Sequence, residues 1–136
     1  MAVRNYQRAG NTIVKRAPAK GSVAFAMGEI LMINTSGYVI RGTATTGLLP
    51  FGVCANPLDT TGAADGDLQV QGEYGGYYVE VDNSTGADAI LATDQNLPVY
   101  TLDANSVSRL SAGKSKLGIF KGFSASGRVR VYIEPN

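Results

Sequence analysis

Residues 69–82 read QVQGEYGGYYVEVD, and the way this stretch folds decides how the rest of the chain is arranged. Polar and apolar residues alternate on both sides of a double glycine, which is typical of two half-buried strands joined by a two-residue turn. With the glycines as the turn, Tyr74 faces Tyr77 and closes the core, and Val70 faces Val81 further along the ribbon. The pattern therefore predicts a β-hairpin with one apolar face and one polar face.

The polar face of this hairpin is acidic. On it Tyr78 lies opposite Glu73, exposed, with further carboxylates beyond it. An exposed tyrosine among acids suggests contact with a neighbouring subunit, and we predict a possible subunit interface formed by Glu73, Tyr78, Glu80 and Asp82.

Short runs of β-branched and aromatic residues, separated by turn formers, occupy most of the remaining sequence, and helical periodicity is hard to find. The predicted strands are Thr12–Arg16, Glu29–Ile33, Tyr38–Arg41, Leu49–Cys54, Leu68–Tyr74, Tyr77–Val81, Pro98–Leu102, Val107–Leu110, Leu117–Phe123 and Arg128–Ile133. Strands at this spacing favour an all-β fold, a single small β-barrel or β-sandwich of about ten short strands. We divide the chain into an extended N-terminal arm (1–10) and one β-rich domain (11–136).

The two halves of the chain also repeat one order of elements. ILMINTSGYVI (30–40) followed by FGVC (51–54) matches PVYTLDANSVS (98–108) followed by LGIF (117–120). The match predicts a duplicated β-unit.

Composition excludes most enzyme chemistry. The 136 residues include no histidine and a single cysteine, Cys54, which removes the usual zinc frameworks, the common nucleophile systems and an intrachain disulfide. GKS at 113–115 lacks the earlier glycine of a phosphate-binding loop, where this chain has Ser108. Asp65 and Asp67 have no further ligands at calcium-loop spacing. We therefore predict that the chain is no enzyme and has no catalytic, metal or cofactor-binding residues.

Charges are segregated along the chain, although the net charge is only +1. Residues 1–41 hold six bases and one acid, residues 42–108 hold nine acids and no base, and residues 109–136 hold six bases and one acid. This indicates a dipolar surface that orients binding to a charged partner or a second copy, unless the charges of a solvated surface merely cluster. Only Tyr6 and Tyr132 are interleaved with the basic ends, so nucleic acid is not an expected partner.

The N-terminus reads MAVRNYQRAGNTIV and has no long apolar stretch behind its charges, which argues against a secretory signal. The most apolar region, Ser22–Ile33, is too short to span a membrane, so we expect a soluble chain made in the cytoplasm. Residues 1–10 lack alternation and carry long polar and aromatic side chains, which predicts an arm.

Several motifs occur in a fixed order along the chain. They are the polar arm leading into GNTIVKRAPA (10–19), GEILMINTSGYVIRG (28–42), FGVCA (51–55), VQGEY (70–74), LPVYTLDANSVSRL (97–110), KLGIFKGF (116–123) and GRVRVYI (127–133). This order resembles the small capsid decoration proteins of tailed bacteriophages, also called cement or head-stabilising proteins, over most of the chain. The central loop at 57–67 is longer than the family pattern, and the tyrosine cluster departs from it.

The resemblance implies a non-enzymatic virion protein, made in the host cytoplasm, that binds the outer surface of an assembled head and bridges neighbouring copies of the major capsid protein. It also implies a homo-oligomer, often a trimer, and no cofactor or membrane. We expect residues 2–16 to form the shell-binding arm, which adds a strand to an exposed sheet edge of the shell. The capsid-binding residues predicted here are Arg4, Asn5, Tyr6, Gln7, Arg8, Lys15 and Arg16.

Two other functions stay open at the level of sequence. One is a tail or baseplate component that uses the same β-unit for assembly. The other is a carbohydrate-binding β-module in which Tyr74, Tyr77 and Tyr78 stack on sugar rings.

Overall fold

The structure is a computed structural model that describes residues 13–74 and 78–134, and its regular elements are almost all strands, which confirms the all-β prediction. All ten predicted strands are present with small shifts of their ends. The described strands are β1 (Ile13–Pro18), β2 (Ala24–Phe25), β3 (Ile30–Ile33), β4 (Val39–Arg41), β5 (Leu49–Cys54), β6 (Leu58–Asp59), β7 (Gln69–Tyr74), β8 (Val79–Asn83), β9 (Pro98–Thr101), β10 (Ser106–Ser108), β11 (Lys116–Phe123) and β12 (Val129–Tyr132). Two short 3-10 helices lie between β8 and β9, at Gly86–Asp88 and Ala92–Asp94.

Strand pairing divides the described chain into two sets. In the N-terminal half (13–74) the strand order is β1-β7-β5-β3-β4, and β2 pairs with β6 in a separate ribbon. In the C-terminal half (78–134) the order is β8-β12-β11-β9-β10, and β10 pairs back with β8, so these five strands form a closed ring.

The hairpin predicted for residues 69–82 is wrong. Its two strands, β7 and β8, belong to different halves: Val70 pairs with Ala17 of β1, and Val81 pairs with Val129 of β12. Alternation sets which face of a strand is buried, but it does not set which strand supplies the neighbouring edge. The stretch is therefore the connection between the two halves, and its double glycine, Gly75 and Gly76, lies with Tyr77 outside the described residues.

The two halves share one topology, so the duplicated β-unit is confirmed and covers more of the chain than the sequence match. In order across the sheets, the strands β1, β7, β5, β3 and β4 of the N-terminal half correspond one by one to β8, β12, β11, β9 and β10 of the C-terminal half. Leu31 lies opposite Gly52 as Val99 lies opposite Gly118, and each ladder shifts at the residue before the glycine. The parallel pairing that closes the C-terminal ring has its counterpart in a parallel bridge from Ala19 to β4.

The equivalent glycines allow a close approach of backbones. A Cβ at Gly52 would lie 2.4 Å from the carbonyl oxygen of Glu73, and one at Gly118 would lie 2.2 Å from that of Tyr132. These two carbonyls occupy the same position of β7 and β12. Each half therefore requires glycine at the same point of its central strand.

The apolar core connects the halves. One cluster lies within the N-terminal half and contains Leu31 and Phe51. A larger cluster fills the C-terminal ring and also includes Ile30, Met32 and Tyr74 of the N-terminal half. Since Leu31 belongs to one cluster and its neighbours belong to the other, β3 is buried on both faces, which accounts for the unbroken apolar run ILMI.

Candidate interaction surfaces

Strand β1 lies at the edge of the N-terminal sheet. One side of Ile13–Pro18 pairs with β7, and no strand of the described chain pairs with the other side before the bridge at Ala19. Val14 is 53% exposed and Ile13 is 47% exposed. A free strand edge with exposed aliphatic side chains is a surface on which an extended segment of another protein can add.

The predicted arm falls only partly within the described residues. Its segment from Arg4 to Arg8, which includes Asn5, Tyr6 and Gln7, lies outside them. Lys15 and Arg16 lie within β1, so the expectation that the arm extends to residue 16 is corrected for residues 13–16. These residues belong to the sheet because β7 offers them a continuous antiparallel partner.

Lys15 occupies the side of β1 that faces the N-terminal core. It lies opposite Gly72, where a Cβ would come within 2.6 Å of the Phe51 ring. The ammonium lies 4.9 Å from the ring centroid of Phe51 and 4.5 Å from that of Tyr74. Burial lowers the pKa of Lys15, whereas the two ring faces favour its charged form. Aromatic side chains thus surround this lysine where a carboxylate would be the usual partner.

The outer face of β8 and β12 carries three of the four predicted interface residues. The guanidinium of Arg130 lies 4.7 Å from the ring centroid of Tyr78, and its Nε lies 3.9 Å from the carboxylate of Glu80. Asp82 accepts a hydrogen bond of 3.1 Å from Arg128. The expected acidic face is therefore corrected to one of mixed charge, since arginines of β12 pair with its acids.

Glu73, the fourth predicted interface residue, lies apart from the other three. It is on β7 in the N-terminal half, opposite Val14 of β1. The predicted tyrosine cluster is also divided: Tyr74 is 8% exposed and belongs to the core, while Tyr78 is half-buried beside an arginine. Tyr77 lies outside the described residues. A platform of three rings therefore loses Tyr74, whose ring is not available to a sugar.

Each half contains a buried acid held by an arginine, which the sequence analysis missed. In the N-terminal half, Glu29 accepts a hydrogen bond of 2.8 Å from the N–H of Ala26 and one of 3.0 Å from Nε of Arg41, and Nη2 of Arg41 completes a bidentate pair. Burial raises the pKa of Glu29, but the hydrogen bonds from Arg41 and Ala26 and the charge of Arg41 outweigh it, so the net shift is downward.

The C-terminal half repeats the arrangement. Asp94 accepts a hydrogen bond of 2.7 Å from the N–H of Leu91 and two of 3.1 Å from Arg109. The hydrogen bonds from Arg109 lower the pKa of Asp94 most, and the hydrogen bond from Leu91 lowers it further. Arg41 and Arg109 hold equivalent positions in YVIR and SVSR, and this repeated arginine is the sequence signal that predicts the pair. The Glu29 pair stabilises the turn before β3, and the Asp94 pair stabilises the turn before β9.

Other candidate groups serve the fold. The Asp65 carboxylate accepts hydrogen bonds from the N–H of Gly21 and the ammonium of Lys20, so it closes the central loop. Burial raises the pKa of the Cys54 thiol. Lys114 of the GKS motif lies 3.6 Å from Asp88. In the described parts of the chain, no group of three or more potential ligands is placed to hold a metal, and no helix is long and apolar enough to cross a membrane.

Comparisons of the chain with protein family models, curated proteins and solved structures find no match. Within the described residues, the edge of β1 and the face of β8 and β12 are the two surfaces suited to contact with another molecule.

Proposed function

We propose that this chain is a structural virion protein that binds the outer surface of an assembled phage capsid and stabilises it by bridging neighbouring capsid subunits. The observation that carries the proposal is the edge of β1 that no described strand covers, which directly follows the basic N-terminal segment. Main-chain hydrogen bonds to such an edge provide adhesion with little demand on the partner's sequence. The order of sequence motifs resembling capsid decoration proteins supports the same role.

Bridging needs more than one contact surface on a single body. The free edge belongs to the N-terminal half, whereas the face with Tyr78, Glu80 and Asp82 belongs to the C-terminal half, and the larger core cluster joins the halves. In the proposal, β1 contacts the major capsid protein and the second face contacts another subunit of a homo-oligomer, for which we favour a trimer. Several weak contacts on one assembly strengthen one another through effective concentration.

Binding to purified heads that lack this protein tests the proposal. Deletion of residues 1–12 removes the basic segment, and Val14→Asp places a charge on the exposed side of β1. Both changes are expected to weaken binding at least about tenfold, while Lys121→Ala, at an exposed residue of β11, leaves it unchanged. Undiminished binding of both variants would overturn the assignment of this surface, and absence of binding by the parent chain would overturn the function.

Cryo-microscopy of whole particles separates the head from the tail. Density for the chain on the head surface supports the proposal, whereas density confined to the tail or baseplate supports the other structural role. The carbohydrate-binding alternative receives no support from Tyr74, because its ring is part of the core.

A further inference from the structure

The internal repeat allows β1 to be compared with its own counterpart, β8. Lys15 lies opposite Gly72 in the N-terminal half, and the equivalent pair in the C-terminal half is Val79 and Val131. The C-terminal pair is buried and apolar. A lysine therefore stands where the repeat has a valine of the core. Departures of this kind from the pattern of a fold are found at functional sites.

The next position of the strand differs as well. Glu80 of β8 pairs across the ladder with Arg130, and the two charges meet. Its counterpart Arg16 lies opposite Gln71, which is an uncharged amide. Within the described residues no carboxylate pairs with Arg16 or with Lys15, although six other bases of this part of the chain have acidic partners. Strand β1 thus carries two adjacent positive charges that have no acidic partner among the described residues.

A second copy of β1 is a poor occupant of this edge. Antiparallel pairing of β1 with β1 brings the bases at 15 and 16 of one copy beside those of the other, and like charges at facing positions destabilise a ladder. Pro18, at the end of the strand, has no N–H to donate. The strand is therefore protected against pairing with itself and suited to a partner of opposite charge.

We infer that the free edge of β1 binds an extended acidic segment of a partner protein, and this inference rests on the proposed function in that the partner is the shell. The segment adds as a strand along Ile13–Pro18, with main-chain hydrogen bonds to the open side. Its carboxylates meet Arg16 on the outer face and Lys15 at the inner face, and its apolar side chains cover Ile13 and Val14. The carboxylates of the segment make charge-assisted hydrogen bonds with the bases of β1 and so take the place of the acids that β8 has and β1 lacks.

Two synthetic peptides test the chemistry of the segment without a capsid. One is an eight-residue peptide in which two adjacent Glu residues lie between Val and Thr residues, so that one carboxylate reaches each face of the added strand, and the other has Lys in place of each Glu. NMR titration of the full chain is expected to shift the amides of β1 with the acidic peptide, with an affinity that falls as salt is raised. The lysine peptide is expected to bind at least about tenfold more weakly.

Charge reversal makes the test specific. Arg16→Glu is expected to reverse the order of affinity of the two peptides, whereas Lys121→Glu, a charge reversal at an exposed residue of β11, leaves that order unchanged. Arg16 is exposed, so this variant retains the fold, which its NMR spectrum verifies directly. Equal binding of both peptides by the parent, shifts confined to other strands, or an unchanged order in Arg16→Glu would each overturn the inference.

The peptide experiment tests the edge inference, and the capsid experiment tests the proposed function, so the two can be rejected separately. If the parent chain binds the acidic peptide at β1 but does not bind heads, the edge inference stands and the proposed function fails. If the chain binds heads but neither peptide prefers β1, the function stands and the acidic segment is rejected.

Discussion

Glu29 and Asp94 are buried carboxylates, and each forms an ion pair with one exposed arginine. Their exposed fractions are 6% and 5%, and both accept hydrogen bonds from a backbone N–H three residues earlier and from the guanidinium. Charge-assisted bonds of this type are stronger than neutral ones. Because the pKa of each carboxyl is lowered by folding, the folded protein takes up protons less readily than the unfolded chain.

The free energy of unfolding is therefore expected to fall in acid. The contribution of these groups is fully present above the pKa of unfolded carboxyls, about 4, and is lost as pH falls through the lower folded values. Asp94→Asn removes one such group and lowers stability at pH 7 by about 1–2 kcal/mol, since charged hydrogen bonds become neutral. Urea unfolding between pH 7 and pH 3 measures both effects, with Glu134→Gln after the last strand as the control. A pH dependence of Asp94→Asn parallel to that of the parent would contradict this role.

At the scale of strands, local pattern and tertiary pairing contribute separately. The bounds of β5 follow from the sequence, and the alternation of RVRV predicts β12, because burial of one strand face is a local property. The two-residue strands β2 and β6 are too short to show a pattern, and β6 lies in a predicted loop. The partner of β7 could not be predicted, since the edge it meets is supplied by a strand more than 50 residues earlier.

The same limit applies to the candidate surfaces. The charges of Lys15 and Arg16 mark β1 from sequence, but only the pairing shows that they belong to a sheet edge and lack internal acids. The contacts of Arg128 and Arg130 with the acids of β8 were not predicted, because the expected hairpin placed β8 beside β7 and not beside β12.

A double-mutant cycle distinguishes the observed pairing from a hairpin at 69–82. Val70 and Val81 belong to separate core clusters, so the destabilisation by Val70→Ala and that by Val81→Ala are expected to add within about 0.5 kcal/mol. Val81 and Val129 are partners in one ladder and one cluster, and their cycle is expected to show a coupling of about 0.5 kcal/mol or more. Chemical denaturation of the six proteins supplies the energies. Strong coupling of Val70 with Val81, without coupling of Val81 with Val129, would favour the hairpin.

For the molecule as a whole, the repeat raises the question of whether its halves fold separately. The described strands do not pair across the boundary, but hydrogen bonds join the halves. The N–H of Ile30 donates to the carbonyl of Ala104 at 2.7 Å, and the hydroxyl of Ser115 donates to the carbonyl of Thr45 at 2.6 Å. The contacts of each half therefore extend beyond its own sheet. The N-terminal sheet covers part of the core of the C-terminal ring.

The shared core predicts that the halves unfold together. Met32 is fully buried in the cluster that fills the C-terminal ring, although it belongs to β3, and Thr101 of β9 donates a hydrogen bond to its sulfur. Met32→Ala is expected to cost about 2–5 kcal/mol and to lower the protection of slowly exchanging amides in β3 and β11 equally. Native-state hydrogen exchange measures both, and Thr46→Ala in an exposed loop is the control, with a change within about 0.5 kcal/mol. If Met32→Ala reduces protection in β3 while β11 keeps its own, the halves are independent units, and a rigid body bridging two neighbours cannot be built from this core alone.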